Sequence, residues 1–183
     1  MKKWLILIGI VVILGVMLIS GYNNLVKTSE SVNGSWSQIQ NQLQRRADLI
    51  PNLVETVKGY ASQEREVFTQ VAEARAKLAG AATVGEAAQA DQSLTGALGR
   101  LFAIAESYPQ LKSDANFRAL QDELAGTENR IATARMDYNN AVQLYNTKIR
   151  TFPTSLYAGL FSFGQRDYFE TDENANKVPG VNF

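Results

Sequence analysis

The sequence contains no cysteine and no histidine. Their absence excludes disulfides, thiolate nucleophiles, zinc sites built from cysteine and histidine, and serine–histidine triads. Any catalysis would have to use carboxylates, lysines, tyrosines or serines. We therefore predict a protein that is not an enzyme, with no metal, no cofactor and no small-molecule substrate.

An excess of charge of either sign is also lacking, since 18 basic residues balance 18 acidic ones. Proteins that bind nucleic acid normally carry a net positive charge or a basic cluster, and this sequence shows neither. The balance predicts that nucleic acid is not a partner.

Charged residues are missing altogether between Trp4 and Val26, directly after Lys2 and Lys3. A helix needs about 20 apolar residues to cross the hydrocarbon core of a membrane. A cleaved signal peptide is the competing interpretation, but its apolar region runs only about 7–15 residues and ends in small residues. The longer run here predicts a retained transmembrane anchor over residues 1–26, with the lipid bilayer as a partner.

The side of the membrane that the rest of the chain occupies stays open. Lys2 and Lys3 favour a cytoplasmic N-terminus, which places the remainder outside. Lys27, followed by Arg45 and Arg46, lies on the other side of the apolar segment, so the excess of basic residues that would set the orientation is small.

Beyond the anchor, apolar residues recur at alternating steps of three and four. This spacing predicts one long helix over residues 22–78 that packs along its neighbours. Arg46 occupies a seam position in that stripe, as do Ser29 and Glu64. The apolar members of the stripe are Leu25, Val32, Trp36, Ile39, Leu43, Ile50, Leu53, Val57, Tyr60, Val67, Val71, Ala74 and Leu78.

Two further helices follow by the same pattern. Gly80 and Gly85 predict a turn, and the apolar spacing over residues 94–108 predicts the second helix. Pro109 suits the first turn of a third helix, which Pro153 ends. Strand-like alternation is absent from the sequence between the anchor and that proline.

The predicted fold is therefore all-α, with an N-terminal transmembrane helix followed by an elongated antiparallel bundle of long helices. The bundle is expected to occupy residues 27–152. An aromatic-rich tail, residues 153–183, follows it, and its end, residues 171–183, is expected to be extended or flexible.

Pro51 interrupts the backbone pattern of the first predicted helix. Proline lacks an N–H and clashes with the carbonyl four residues before it, here that of Ala47. The apolar register continues across Pro51, which favours a kink over a helix end; the alternative is that Asp48 caps a new helix there. Arg45, Arg46 and Asp48 stand beside the kink and are expected to satisfy the freed carbonyl.

Two long stretches make the sequence recognisable: "QLQRRADLIPNLVETVKGYA", residues 42–61, and "LGRLFAIAESYPQLKSDANFRALQDELAGTENRIATARMDYNNAVQLYNTKIRTFP", residues 98–153. Together with residues 22–39, they resemble the LemA family of bacterial membrane proteins over nearly the whole chain. The resemblance implies one N-terminal membrane segment and a bundle of long antiparallel helices. It supplies no reaction, and the family's described topology, with the N-terminus outside the cell, conflicts with the lysine count. A related protein of magnetosome-forming bacteria takes part in building the magnetosome membrane, which implies a role in envelope or membrane organisation.

A polar stripe runs along the third predicted helix. Glu128, Arg135, Asn139 and Asn146 are spaced by seven, four and seven residues, which places them on one helical face. Such a stripe can fix the alignment of packed helices; a contact between copies and a ligand groove are the alternatives. It is expected to meet polar groups of the first helix, namely Arg45, Arg46 and Glu55.

Two carboxylate pairs, Glu64 with Glu66 and Asp122 with Glu123, are the candidates for acid–base chemistry on a glycan. That reaction needs two carboxylates that flank a cleft, one of them with a raised pKa. Neighbours along a helix point in different directions, which favours solvated side chains over a catalytic pair.

The tail concentrates aromatic residues, and its glycines are expected to interrupt any helix. Packing of these side chains onto the bundle, as a strap, is the first interpretation. Contact with the lipid interface or with another subunit is the alternative. The aromatic residues in question are Phe152, Tyr157, Phe161, Phe163, Tyr168 and Phe169.

These observations predict a single-pass protein of the bacterial inner membrane that self-associates as a homo-oligomeric scaffold in envelope or membrane organisation. The alternative is a membrane-tethered adaptor that binds one unidentified membrane protein, such as a protease or a signalling protein. The scaffold predicts large homo-oligomers, whereas the adaptor does not.

Overall fold

The computed structural model of the chain describes residues 2–170, without the side chain of Lys2. The expected flexible end of the tail, residues 171–183, lies outside the described residues.

Helices dominate the described part of the chain. Six helices and no strand are found between residues 2 and 170, which confirms the all-α prediction. In chain order they are α1 (Lys2–Lys58), α2 (Arg65–Gly80), α3 (Val84–Ser107), α4 (Pro109–Ser113), α5 (Ala115–Arg150) and α6 (Thr154–Leu160).

The chain divides into two compact units, each of which draws on both ends of the sequence. Among the described residues, the first unit contains residues 2–37 and 137–167, and the second contains residues 38–136 and 168–170. Each unit has its own buried apolar residues, so each is described by itself below.

In the first unit, buried residues of α1 and α5 recur at helical spacing. Leu25 and Val32 of α1 are buried, as are Val142 and Tyr145 of α5. The N-terminal residues of α1 differ, because their large apolar side chains are exposed along the whole segment from Trp4 to Ile19. By length and composition, this segment can cross a membrane.

In the second unit, α2 and α3 pack together as a helical hairpin. The turn predicted there is present, since α2 ends at Gly80 and α3 begins at Val84. Thr83 starts α3 with a capping box: the Glu86 N–H donates to Thr83 Oγ1 at 3.2 Å, and the Thr83 N–H donates to Glu86 Oε2 at 3.2 Å. Helix α3 therefore begins earlier than the apolar spacing from residue 94 indicated.

The prediction of one continuous helix over residues 22–78 was wrong. Helix α1 passes through Pro51 and ends at Lys58, and α2 begins at Arg65. At the end of α1, the N–H groups of Tyr60 and Ala61 both donate to the carbonyl of Val57, at 3.0 and 2.9 Å, which closes the last turn. The apolar spacing continues across this break, so it could not reveal the helix end.

Two smaller corrections concern the later helices. The third predicted helix is divided into α4 and α5, which Asp114 separates; the Phe117 N–H donates to Asp114 Oδ1 at 2.9 Å, so the carboxylate caps α5. The tail contains a short helix, α6, where glycines were expected to interrupt any helix. The peptide bond before Pro153 is cis.

Candidate functional site

The second unit contains a group of four charged residues with a buried centre, Arg46, Asp91, Glu128 and Arg135, which we call the ion cluster. Arg46 Nη1 lies 2.7 Å from Asp91 Oδ1 and 2.7 Å from Glu128 Oε2. The other carboxylate oxygen of Asp91 accepts a hydrogen bond from Arg135 Nη2. Two cations and two anions thus meet where α1, α3 and α5 converge.

Burial differs sharply within the ion cluster. The side chain of Asp91 is 0% exposed and that of Arg46 is 5% exposed, whereas that of Glu128 is 41% exposed. A buried charge is tolerated only when it is paired and hydrogen-bonded. Arg46 Nη2 adds a bond of 3.0 Å to Thr95 Oγ1, and Thr95 Oγ1 in turn donates to the carbonyl of Asp91 at 2.9 Å. Asp91 and Arg46 therefore form the centre of the cluster.

Helical spacing brings these side chains together. Arg46 replaces an apolar residue at a seam position of α1, as the sequence indicated. Asp91 does the same in α3, where it follows Ala87 by four residues and precedes Leu94 by three. The sequence prediction did not include Asp91, because the second helix was placed from residue 94. A single acid on the apolar face of an alanine-rich segment was the signal that could have found it.

Phe169, one of the predicted tail aromatics, covers this group in the second unit. Its side chain is buried, at 3% exposed, and the Arg135 guanidinium carbon lies 4.9 Å from its ring centroid. A guanidinium stacked over an aromatic face is stabilised by the ring electrons. The neighbouring Tyr168 is 38% exposed.

The region around Pro51 receives its polar support from an unexpected residue. Arg75 of α2 donates from Nε to the carbonyl of Ala47 at 2.9 Å, and that carbonyl is the one that Pro51 leaves without its usual helical donor. Arg45 and Arg46 donate elsewhere, to Glu123 and to the ion cluster. This corrects the expectation that residues beside Pro51 satisfy the carbonyl; the kink itself stays a prediction.

Asp48, the remaining residue of the predicted kink, lies inside α1 and accepts a hydrogen bond from Gln44 Nε2 at 2.8 Å. The alternative that it caps a new helix is therefore wrong, because α1 is continuous from Lys2 to Lys58.

The four members of the predicted polar stripe on α5 do not form one site. Glu128 and Arg135 belong to the second unit, where they join the ion cluster. Asn146 belongs to the first unit, where Nδ2 donates to the Arg166 carbonyl at 2.9 Å and Oδ1 accepts from the Arg166 N–H at 2.9 Å. Asn139, also in the first unit, is half-buried. The stripe is thus two sets of contacts.

Asn146 holds the chain beyond α6 together with two tyrosines that sequence reasoning had counted only as apolar. Tyr145 Oη donates to the Gly164 carbonyl at 3.0 Å, and Tyr138 Oη donates to the Asp167 carbonyl at 2.9 Å. Burial raises the pKa of the Tyr138 phenol. Residues 164–167 are therefore fixed on α5 by neutral donors.

The remaining tail aromatics belong to the first unit and divide by exposure. Tyr157 of α6 is buried, at 7% exposed, and Phe163 is half-buried. Phe152 and Phe161 are 81% and 52% exposed. Some aromatic side chains of the tail therefore pack on the first unit, whereas others are exposed.

Tyr157 lies against Gly21, at the end of the uncharged segment of α1. A Cβ at Gly21 would overlap Tyr157 Oη and stand 2.6 Å from Tyr157 Cζ, so only glycine leaves room for this ring. Tyr22 contacts Phe161 and Phe163 edge to face, with ring centroids 5.0 and 5.9 Å apart. An apolar cleft of about 270 Å³ opens beside these contacts, and its walls are Leu18, Ile19, Tyr22, Tyr157, Leu160 and Phe161.

Two of the four carboxylates considered for acid–base chemistry, Glu66 and Glu123, have other partners. Glu66 accepts from Gln70 Nε2 at 3.2 Å, one turn away. Glu123 accepts from Arg45 and, at 3.3 Å, from Arg130. Asp122 is exposed.

The carboxyl groups with lowered pKa are helix caps. Hydrogen bonds from the Ala82 and Thr83 backbone N–H groups lower the pKa of Glu86. The Phe117 backbone N–H, and then the Tyr60 hydroxyl, lower the pKa of Asp114. A general acid would need a raised value.

Comparisons with known proteins identify relatives of this chain. A family model described as the LemA family matches residues 35–183. Magnetosome protein MamQ 2 and magnetosome protein MamQ 1 of Paramagnetospirillum magneticum are each 30% identical to this chain, over 84% of the chain and 66% of their own length. Protein LemA of Metamycoplasma hominis is 28% identical, over 74% of the chain and 63% of its own length. The chain thus spans just under two thirds of the length of these relatives.

Proposed function

The chain belongs to the LemA family, and we propose that it is a non-enzymatic, single-pass protein of the bacterial inner membrane that self-associates as a scaffold in membrane organisation. The N-terminal apolar part of α1 fits a single membrane span. The relatives named as magnetosome proteins support a role in membranes. Scaffolding, self-association and the inner membrane are the parts that experiments must test.

One observation carries the proposal: the span continues without a break into the packed part of the first unit. Helix α1 is uninterrupted from the exposed apolar segment through Leu25 and Val32, which are buried. The first packing contact, between Gly21 and Tyr157, lies within one turn of Ile19. A protein tethered only for localisation needs no more than a flexible linker. A stiff connection instead supports a protein whose orientation on the membrane matters.

Self-association has a candidate contact in the first unit. Leu144 of α5 is 54% exposed, although it is a large apolar side chain on a helix whose other face is buried. Scattered exposed leucines are common on protein surfaces, so the contact needs a direct test. The adaptor alternative uses the same surface for a different protein.

The test is the mass of the full-length chain, extracted in mild detergent and also held in lipid nanodiscs. The proposal expects a discrete oligomer in both. Leu144→Lys should shift it toward smaller species, whereas the matched variant Gln143→Lys, at an exposed polar neighbour, should leave the mass unchanged. A monomer in both preparations would overturn self-association and favour the adaptor.

The non-enzymatic part of the proposal is supported by the contacts of the candidate acids. The most deeply buried carboxylate in the ion cluster, Asp91, has a guanidinium on each oxygen. Retaining and inverting glycoside hydrolysis both need a second carboxyl group across a cleft. Turnover of bacterial cell-wall glycan by the purified chain, abolished by Asp91→Asn but not by Asp122→Asn, would overturn this part.

A further inference from the structure

Helix α6 exposes an unusual surface for a helix in water. Tyr157 and Ala158 are buried, which accounts for one side. Leu156 and Leu160, four residues apart and so on one face, are 70% and 77% exposed. The exposed face of a surface helix is normally polar. Here apolar residues lie on both sides.

The position of α6 within the first unit explains this surface. Tyr157 packs on Gly21 and Phe161 on Tyr22, so α6 lies beside the end of the uncharged segment. Counted from Trp4, the roughly 20 residues that cross a hydrocarbon core end near Asn23. If the segment crosses the membrane as proposed, α6 lies at the level where acyl chains give way to headgroups, and tyrosines are enriched at that level.

The apolar surface of α6 is continuous with that of the span. The cleft of about 270 Å³ has walls from both elements, with Leu18 and Ile19 on one side and Leu160 and Phe161 on the other. Since Leu18 and Ile19 are exposed residues of the segment that fits a membrane span, the cleft opens onto the same surroundings as the span.

The charges near this level have one sign. Residues 20–28 and 146–164 contain Lys27, Lys148 and Arg150 and no acidic residue. Lys148 Nζ is held by two neutral acceptors, Asn24 Oδ1 and Thr28 Oγ1, each at 2.8 Å, so its positive charge is not cancelled by them. Basic residues beside a span attract anionic headgroups.

We propose that α6, with Phe152 and Phe161, is a second membrane contact that lies in the headgroup–acyl boundary beside the span, with lipid acyl chains against its leucines and anionic headgroups near its basic residues. This inference rests on the proposed membrane location. It deepens the function, because two contacts fix the tilt and rotation of the first unit on the bilayer, whereas one span leaves rotation free.

The test measures depth in the membrane at single positions. The chain has no cysteine, so Leu156→Cys, Leu160→Cys and the exposed polar control Gln143→Cys can each carry one nitroxide label in the full-length chain. Labelled chains are placed in vesicles of phosphatidylcholine, with or without phosphatidylglycerol. Accessibility to oxygen, which dissolves in lipid, is compared with accessibility to a water-soluble nickel complex.

Labels at 156 and 160 should be several-fold less accessible to the nickel complex than the label at 143, and more accessible to oxygen. Phosphatidylglycerol, which supplies anionic headgroups, should move the labels at 156 and 160 deeper into the bilayer. Accessibility equal to that at 143 would overturn the inference. Protection from both reagents, with spin–spin broadening that unlabelled chain removes, would show a second copy on this face and would also overturn it. Deep labels in a monomeric chain would keep this inference while overturning self-association.

Discussion

In the first unit charged side chains meet neutral partners, whereas in the second unit they meet each other. Lys148 binds an amide and a hydroxyl oxygen, and Asn146 pairs with the backbone of Arg166. Each ion pair found among residues 2–170 belongs to the second unit, and the most deeply buried joins Arg46 to Asp91. The two halves of α1 and of α5 therefore contribute to cores of different chemistry.

The difference follows from the surroundings of each unit. An ion pair is costly where both charges leave water, and it is tolerated only with good geometry and additional hydrogen bonds. The first unit contains the segment that fits a membrane span; in such a segment charges are disfavoured, and at its ends aromatic contacts suit the interface. The second unit tolerates the buried carboxylate of Asp91, because Arg46 of α1 and Arg135 of α5 both pair with it. Neutral and aromatic contacts thus suit the unit that contains the apolar segment, and paired charges suit the other.

The largest expected effect is on the ion cluster. Asp91→Ala leaves Arg46 buried with fewer partners, and breaking a buried pair costs about 3–5 kcal/mol. The exposed control in the same unit, Asp122→Ala, should change stability by less than about 0.5 kcal/mol. Thermal unfolding of the full-length chain in detergent, followed by circular dichroism, measures both.

A combined variant sharpens this prediction. Arg46→Met with Asp91→Leu and Arg135→Met replaces the three more buried members of the ion cluster by apolar side chains of similar size, and such replacements are often neutral or stabilising. Glu128, at 41% exposed, stays in place. Stability should return to within about 1 kcal/mol of the parent. If Asp91→Ala costs no more than Asp122→Ala, the second unit does not depend on buried charge and the contrast between the units fails.

The next largest loss of stability is expected in the first unit, where close packing of apolar groups takes the place of ion pairs. Gly21→Ala places a Cβ into the Tyr157 ring, and overpacking of this kind costs about 1–3 kcal/mol. Gly34→Ala is the control on the same helix, because its Cβ would meet nothing within 4 Å. Hydrogen exchange over residues 154–167 should rise for the first variant only. Tyr157→Val should remove most of the difference, since the ring is then absent.

A smaller effect is expected at Pro51. Arg75→Leu removes the donor to the Ala47 carbonyl, and a charge-assisted hydrogen bond contributes about 1.5–3 kcal/mol when buried, so about 1–2 kcal/mol is expected at this half-buried position. Pro51→Ala supplies a backbone N–H four residues after that carbonyl. The same Arg75→Leu change should therefore cost clearly less in the Pro51→Ala chain. Equal costs in both chains, measured by denaturation in detergent, would show that Arg75 does not compensate for the proline.

Patterns along the chain predicted the helical class and singled out three of the four residues of the ion cluster, all except Asp91. Arg46 stood out because a charge occupied a seam position, and Glu128 and Arg135 shared a helical face. The end of α1 could not be predicted from spacing, because Val57 and Ala61 are both buried on either side of Gly59. A helix can end while its apolar stripe continues.

The contacts that sequence reasoning missed join residues far apart in the chain. Arg75 reaches Ala47 across 28 positions, and Arg135 reaches Asp91 across 44. Local pattern says which face of a helix is buried, but it does not say which partner a polar side chain meets there. Asn146 shows the same limit, since its predicted role was alignment of helices and its partner is the backbone of Arg166.

The smallest expected effect concerns a neutral donor on a carboxylate in the second unit. Tyr60 Oη donates to Asp114 Oδ2 at 3.0 Å. The contact lowers the pKa of Asp114 below its usual 3.8, after the larger effect of the Phe117 N–H, and the hydrogen bond to Asp114 raises the pKa of Tyr60 above 10.0. Because the Asp114 pKa is lowered by folding, its contribution to stability is present above pH 3.8 and is lost as the pH falls through the folded value. The Tyr60 contribution is present below pH 10 and is lost as the pH rises through its folded value.

Tyr60→Phe should raise the pKa of Asp114 only part of the way to 3.8, because the Phe117 N–H still binds the carboxylate. The stability that Asp114 contributes should then be lost at a higher pH on the acid side, and the share of the loss above pH 10 that comes from Tyr60 should disappear. Carboxyl carbon NMR titration follows Asp114, and Tyr108→Phe, whose hydroxyl contacts Gln63 instead, is the control. An unchanged Asp114 titration would show that the second unit gains nothing from this neutral side-chain donor and would widen the contrast with the first unit, where Tyr138, Tyr145 and Asn146 supply such donors.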